Sequence, residues 1–265
     1  MKAVRRLLSR PISTTGTLIS PDRTQQEASQ IVTEGLVGHW DAWNPYSYPG
    51  SGTTWTDLAG NGNLTLTNGP TFSSEAYGEI SFDGTNDYAT AGSISAFNSN
   101  SMAISVEAVF HFNGNSQLSV IANNRPASGN PFDQFSIGIG GSGQDDYANG
   151  TAGTAVHAFF YPSVGSNQWR SPRFSMPQAG IYHVIGTSES ANAKLYVNGV
   201  LQSTDTRTSS GNFSTSTKTF ELGKLSGLST AYFSSRIHIV RVYTRTLTES
   251  EAYQNYQSVR WRFSL

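Results

Sequence analysis

Five aromatic side chains crowd the sixteen residues from 40 to 55: Trp40, Trp43, Tyr46, Tyr48 and Trp55. A later loop adds Trp169 beside Arg170. Aromatic faces stack on sugar rings because axial C–H groups meet the negative face of the ring, while amides and charged groups fix hydroxyls. Trp43, Tyr46, Tyr48, Trp169 and Arg170 are therefore the candidate carbohydrate-contacting residues. Trp40 and Trp55 read as core-edge fillers, and packing is the competing explanation for each of the others.

Catalytic carboxylates are harder to find. A retaining glycosidase sets two of them about 5 Å apart, which on a strand means positions i and i+2 or i+4 of one face. The glutamates stand at 27, 34, 75, 79, 107, 189, 221, 249 and 251, and none falls in such an expected strand pair. Glu249 and Glu251 lie in a helix-capping sequence, and Asp83 and Asp87 flank a turn. No catalytic residue is assigned and no enzyme is expected. The histidines at 39, 111, 157, 183 and 238 are scattered singly, without His-x-His or i,i+4 spacing. Asp145, Asp146 and Asn149 could offer oxygens to calcium, although a solvated loop tip explains them as well. The run Gly138-Ile139-Gly140-Gly141-Ser142-Gly143 has no helix signal after it and reads as a hairpin loop, not a phosphate cradle.

The elements that must position these residues are strands. Charged residues make up only 13% of the 265, Gly alone contributes 26, and there is no cysteine, so disulfides are excluded. A net charge of −1 argues against general affinity for nucleic acid or an anionic membrane, and no apolar run approaches bilayer-spanning length. Strands are expected over residues 35–41, 80–89, 103–112, 135–139, 155–161, 181–186, 194–200, 220–223 and 236–243. Residues 104, 106, 108, 110 and 112 alternate as a half-buried antiparallel strand. One helix is signalled: Thr248-Glu249-Ser250-Glu251 is a capping box, predicting one or two turns through Tyr256. The fold class is all-β: an antiparallel two-sheet sandwich of jelly-roll type, with an extended N-terminal arm and one short C-terminal helix.

Residues 1–34 form that arm. Lys2, Arg5, Arg6 and Arg10 precede the first acid, Asp22. Leu7-Leu8 runs straight into Ser9-Arg10-Pro11, too short for the apolar stretch of an export signal; an organelle transit peptide is the minor alternative. The arm is too polar to fold alone and is expected to lie against a partner. Residues 35–265 form the folded domain.

Ile80-Ser81-Phe82-Asp83-Gly84-Thr85-Asn86-Asp87-Tyr88 has two partners downstream, Lys194 to Leu201 and Arg241 to Leu247, closed by Glu251 and Asn255-Tyr256. In this order they resemble the laminin-G-like branch of the concanavalin A-like lectin/glucanase superfamily, over roughly Gly35 to Leu265. The resemblance implies that Phe82, Tyr88 and Tyr196 are buried and that Asp83, Asp87 and Asn198 serve turns. Hydrolases of the superfamily carry a Glu-x-Asp-x-x-Glu strand and its lyases a basic strand with Gln and His; neither occurs here. Relatives that bind calcium commonly place an acid before the Val-Arg-x-Tyr strand, where this sequence has His238 and Ile239. The opening Trp40-Asp41, followed by Pro49-Gly50-Ser51-Gly52-Thr53-Thr54-Trp55-Thr56-Asp57-Leu58 and Gly60-Asn61-Gly62-Asn63, also resembles versions found in structural proteins of tailed bacteriophages.

The expectation is a non-catalytic virion structural protein, of decoration or fibre type, on the head or tail exterior. Residues 1–34 would hold it to other virion proteins within a large homo-oligomeric assembly, with the sandwich facing cell-surface glycans. The alternative is a free, extracellular bacterial carbohydrate-binding module. No cofactor other than the candidate calcium is implied.

Overall fold

The computed structural model describes residues 31–97, 103–115, 117–125, 135–141, 157–162, 172–189, 192–206, 217–225 and 231–265. The first sheet runs β14 (Val200–Thr206), β13 (Asn192–Val197), β12 (Gly180–Glu189), β7 (Ile104–Phe112), β16 (Arg236–Tyr243), β5 (Glu79–Ser81) and β4 (Thr71–Ser73). On the far side of β16, β1 (Leu36–Asp41) pairs alongside its C-terminal half, from Leu36 opposite Tyr243 to Asp41 opposite Ile239. The second sheet runs β11 (Arg173–Ser175), β10 (His157–Pro162), β9 (Phe135–Gly140), β8 (Ser119–Arg125), β15 (Thr219–Leu222), β6 (Tyr88–Gly92), β3 (Leu64–Thr67) and β2 (Thr54–Trp55). Every pairing is antiparallel.

Between the sheets lies one apolar core. Ile104, Val106, Ala108, Phe110 and Phe112 of β7 point into it, as the alternation predicts. Trp40 stacks on Phe220 with ring centroids 5.0 Å apart, and Trp55 is fully buried beside β3. The sheets approach so closely at Gly186 that a Cβ there would collide with the Phe160 ring.

The family motif folds as a set of side-chain-capped turns. The Asp83 carboxylate accepts from the amides of Thr85 (2.8 Å) and Asn86 (3.3 Å), and that of Asp87 accepts from the Asp83 amide (3.1 Å). Asn198 (φ 49°) and Gly199 (φ 77°) form the two-residue hairpin turn between β13 and β14, and the Asn198 side chain accepts from the His183 amide. Phe82 and Tyr196 are buried; Tyr88 is only half-buried, with the Lys224 ammonium 4.2 Å from its ring centroid.

A third layer covers the outer face of the first sheet. The helix α1 (Glu249–Phe263) has 15 residues, against the one or two turns expected. Thr248 and Glu251 form the capping box, and Ser264 closes the C-terminus in the left-handed conformation. Its buried side is Ala252, Asn255, Tyr256, Val259, Arg262 and Phe263, a regular helical stripe with polar members. Those polar members hid the length of the helix from an apolar periodicity search. A register shift between Ile237 and Ile239 turns β16 so that Ile239, Arg241 and Tyr243 face α1 while Val240 and Val242 face the core. No helix among the described residues is long and apolar enough to cross a membrane.

Residues 31–34, assigned to the arm from sequence, lie against this third layer. Val32 packs with Ile185, Tyr196, Tyr243, Leu247 and Ala252, and its amide donates to Asn255 Oδ1 at 2.8 Å. Residues 1–30, with Lys2, Arg5, Arg6 and Arg10, lie outside the described residues.

Candidate functional site

Sheet and helix meet over two buried ionic groups. Glu107, in the middle of β7, accepts from Arg241 Nη1 (2.6 Å), His183 Nε2 (3.1 Å) and Asn255 Nδ2 (2.7 Å). All four side chains are sealed from solvent. Burial works against the carboxylate, but the Arg241 guanidinium and the His183 hydrogen bond hold Glu107 well below the usual carboxylate range. Burial, with the Glu107 charge, pushes the Tyr243 hydroxyl up. His39, facing Arg241 across the β1–β16 pairing, is lowered to about 3 by burial and by Arg241. This cluster holds a proton donor and an anion in contact, but nothing can reach it; it fastens the helix.

The second group leads to the surface. Asp41, at the end of β1, binds Arg262 through both oxygens, at 2.6 and 2.9 Å. Asp41 also accepts from the Trp43 amide (2.9 Å), turning the chain sharply after β1. Arg262 donates in addition to the Tyr77 carbonyl (3.0 Å), and its guanidinium lies 4.7 Å from the centroid of the Trp43 ring. The loop after β1, the 3-10 turn Glu75–Tyr77 and the end of α1 are thus bound to one arginine. Gly78 completes the contact: at φ 77°, a Cβ would fall 2.5 Å from Trp43 Cα. His238 Nδ1 sits 2.9 Å from the Gly78 carbonyl, and burial lowers His238 to about 4.

Above this frame three aromatic rings form a cluster. Trp43 meets Tyr77 edge-on at 5.0 Å and Trp261 at 5.8 Å, and Tyr77 meets Trp261 at 5.9 Å. Tyr77 is 40% and Trp261 39% exposed. The Trp261 indole is held by a bond from Nε1 to the Ser258 carbonyl (2.8 Å). Ala76 (φ 46°) and Tyr77 (φ 61°) both adopt the left-handed backbone, which costs energy for residues with a Cβ and is retained where surroundings or function enforce it. The result is a partly exposed aromatic surface, and the Asp41 carboxylate beneath it is engaged by Arg262 and the Trp43 amide.

Of the sequence candidates, Trp43 belongs to this cluster and Tyr46, 74% exposed, stands on the same loop. Tyr48 turns inward: it is 5% exposed, packs on Phe72 and donates its hydroxyl to the Gly52 carbonyl (2.7 Å). Trp169 and Arg170 lie outside the described residues, as do Asp145, Asp146 and Asn149. Among the described residues no group of three His, Asp or Glu side chains could hold a metal ion. Sequence reasoning missed Tyr77 and Trp261. The short spacing Ala76-Tyr77-Gly78 was the one available signal for the first; the second sat in a stretch not recognised as helix.

The family model described as the concanavalin A-like lectin/glucanases superfamily matches residues 83–252. The chain belongs to that superfamily. No curated protein sequence matches it. Among solved structures of the same fold is domain 4 of AbnA, a GH43 extracellular arabinanase from Geobacillus stearothermophilus, in complex with arabinotriose. It aligns at 18% identity and TM-score 0.59 over 84% of this chain and 98% of that domain. The binding domain of botulinum neurotoxin DC, in complex with SialylT, aligns at 12% identity and TM-score 0.62, over 86% of this chain and 52% of that one. Trypanosoma rangeli sialidase, in complex with sialic acid, aligns at 14% identity and TM-score 0.60 over 91% of this chain; the match spans 38% of the sialidase. At such identities the superfamily likeness is one of fold.

Proposed function

We propose that this chain is a non-catalytic glycan-binding module carried on the exterior of a bacteriophage particle. The observation that carries glycan binding is the Trp43–Tyr77–Trp261 cluster, in which Arg262 supports the Trp43 ring and the half-exposed Tyr77 and Trp261 rings pack against it. Preorganised aromatic faces bind sugar rings at small entropic cost. A fold relative solved with arabinotriose, matched over 98% of its length, supports the same class of ligand. The absence of catalysis is supported by the engagement of Glu107 and Asp41, both fully buried in ion pairs.

Attachment through residues 1–34 is supported by where Val32 packs. Val32 is tied to Ala252 and Asn255 in the first half of α1, whereas Trp261 is near its last turn. At 1.5 Å per helical residue, Ala252 and Asn255 lie about 14 and about 9 Å from Trp261 along the helix axis. An arm held by a particle at one end of α1 leaves the other end free for a ligand. The resemblance of residues 40–63 to tailed-phage structural proteins supports the particle.

Binding to an oligosaccharide array is the first test. Trp43→Ala and Tyr77→Ala should each lower affinity at least tenfold while leaving the unfolding transition cooperative. Equal binding by all variants would refute the site. Deleting residues 1–30 should leave glycan binding intact and abolish incorporation into particles, read by mass spectrometry of purified virions. Full incorporation would point instead to a free module.

A further inference from the structure

A second cleft opens at the opposite end of α1. Its volume is about 400 Å³, and its walls are the paired ends of β12 and β13 and the segment that leads into the helix. Thr187 pairs opposite Lys194 and Glu189 opposite Asn192, so the outward side chains of both strands line one wall. Thr246 and Glu249 line the other, over a floor formed by buried Tyr196. The Thr246 hydroxyl is fixed by donation to the Ser188 carbonyl (2.7 Å).

The charges here differ from those of the ion pairs described elsewhere in the fold. Elsewhere cations meet carboxylates: Arg241 with Glu107, Arg262 with Asp41, Arg245 with Glu251, Arg236 with Glu79 and Lys224 with Glu221. In the cleft, Lys194, Glu189 and Glu249 share one cavity, yet among the described residues none of the three forms an ion pair or hydrogen bond with another side chain. Glu249 nonetheless acts on the floor, since burial and its charge together raise the Tyr196 hydroxyl. Three unpaired charged groups and fixed hydroxyls around 400 Å³ suit a hydrophilic ligand of small-molecule size. Carboxylates accept from hydroxyl and ammonium groups, and the lysine donates to ring or hydroxyl oxygens, in charge-assisted bonds stronger than neutral ones. Two carboxylates against one ammonium leave the cleft net negative, which opposes an anionic ligand and favours a cationic one.

We propose that this cleft is a second, independent ligand site that takes amino sugars first and neutral sugars next, and rejects acidic sugars. It is separate from the aromatic cluster and does not depend on it: Trp43 and Trp261 are remote from its lining, and Tyr196 gives it no exposed stacking face.

Amide chemical-shift titration of the full chain with three disaccharides tests this: a glucosamine dimer, cellobiose and digalacturonic acid. The expected result is saturable shifts at Thr187, Glu189, Asn192 and Lys194 and at residues 246–249, tightest for the glucosamine dimer and weakest for digalacturonate. Glu249→Gln should lower glucosamine-dimer affinity about tenfold; the isosteric Glu189→Gln, which alters no cap, gives the same reading should Glu249→Gln perturb the helix. Trp43→Ala should leave these shifts unchanged, so failure at the aromatic cluster and failure here are told apart. No shift at the cleft with any disaccharide, or digalacturonate binding as tightly as the glucosamine dimer, would overturn the proposal.

Discussion

Asp41 and Arg262 are 221 residues apart in sequence and form a two-pronged ion pair, at 2.6 and 2.9 Å, with both side chains cut off from water. The pair joins the end of the first strand to the last turn of the helix. It also sets the height of the Trp43 ring, which rests over the guanidinium. Folding of the sandwich and construction of the aromatic surface therefore share one contact.

Removing either partner leaves a buried charge without its counter-ion. Arg262→Ala is expected to lower stability by about 3–5 kcal/mol in urea denaturation. The double replacement Asp41→Leu with Arg262→Met should recover most of that loss, because neither charge remains. A double variant as unstable as the single one would show that the geometry, not the uncompensated charge, is at stake.

The fold should extend back past Gly35. A chain beginning at Ile31 keeps the Val32 side chain in its cluster and the Val32 amide on Asn255. One beginning at Gly35 loses both and should be about 1–3 kcal/mol less stable. Equal midpoints for the two chains would contradict the packing of residues 31–34.

Acid should unfold the protein in two stages. Buried His39 and His238 stay neutral in the fold to about 3 and about 4, whereas in the unfolded chain they protonate near 6.5. The unfolded state thus binds more protons, so stability falls as pH drops from about 6.5. Below about 4.5 the carboxylates add to the loss. Glu107 is held down by its cationic partners despite burial, and Glu251, at about 2, by its bond from Arg245. Urea midpoints measured between pH 7 and 4 should decline, and His39→Asn with His238→Asn should flatten that limb. An unchanged slope in the double variant would assign the decline to other groups.

Ala76→Gly should be stabilising. In most positions glycine costs conformational entropy, but Ala76 occupies the left-handed region at φ 46°, ψ 37°. Relief of the Cβ contact is expected to raise stability by roughly 1 kcal/mol. A destabilised variant would mean that the turn is not strained there.

Strand alternation made most of the sandwich legible. The residues of β7 and β16, the Asp83–Asp87 turn and the Asn198-Gly199 hairpin all carry their own local signals. The capping box at Thr248 marked where the helix starts. Its end was hidden because Asn255 and Arg262 are buried as polar partners of strands far away in sequence, and Ser258 is buried on the Asn255 carbonyl of the helix itself. For the same reason Trp261 could not be placed beside Trp43. Glu107, Arg241 and His183 likewise give no pattern along the chain; they become neighbours only when three strands align in register. Tyr48 shows the converse, an aromatic in a dense aromatic stretch whose hydroxyl finds a carbonyl four residues on and turns inward.

The tie between Val32 and Asn255 has a mechanical side. Tension applied to residues 1–30 meets the helix before it meets the edge strand. From Asn255 the load passes to Glu107 at the centre of the sheet, so it is shared across several strands and β1 is not peeled away first. Pulled from its N-terminal side, the domain would yield by lifting α1 before the sandwich beneath gave way.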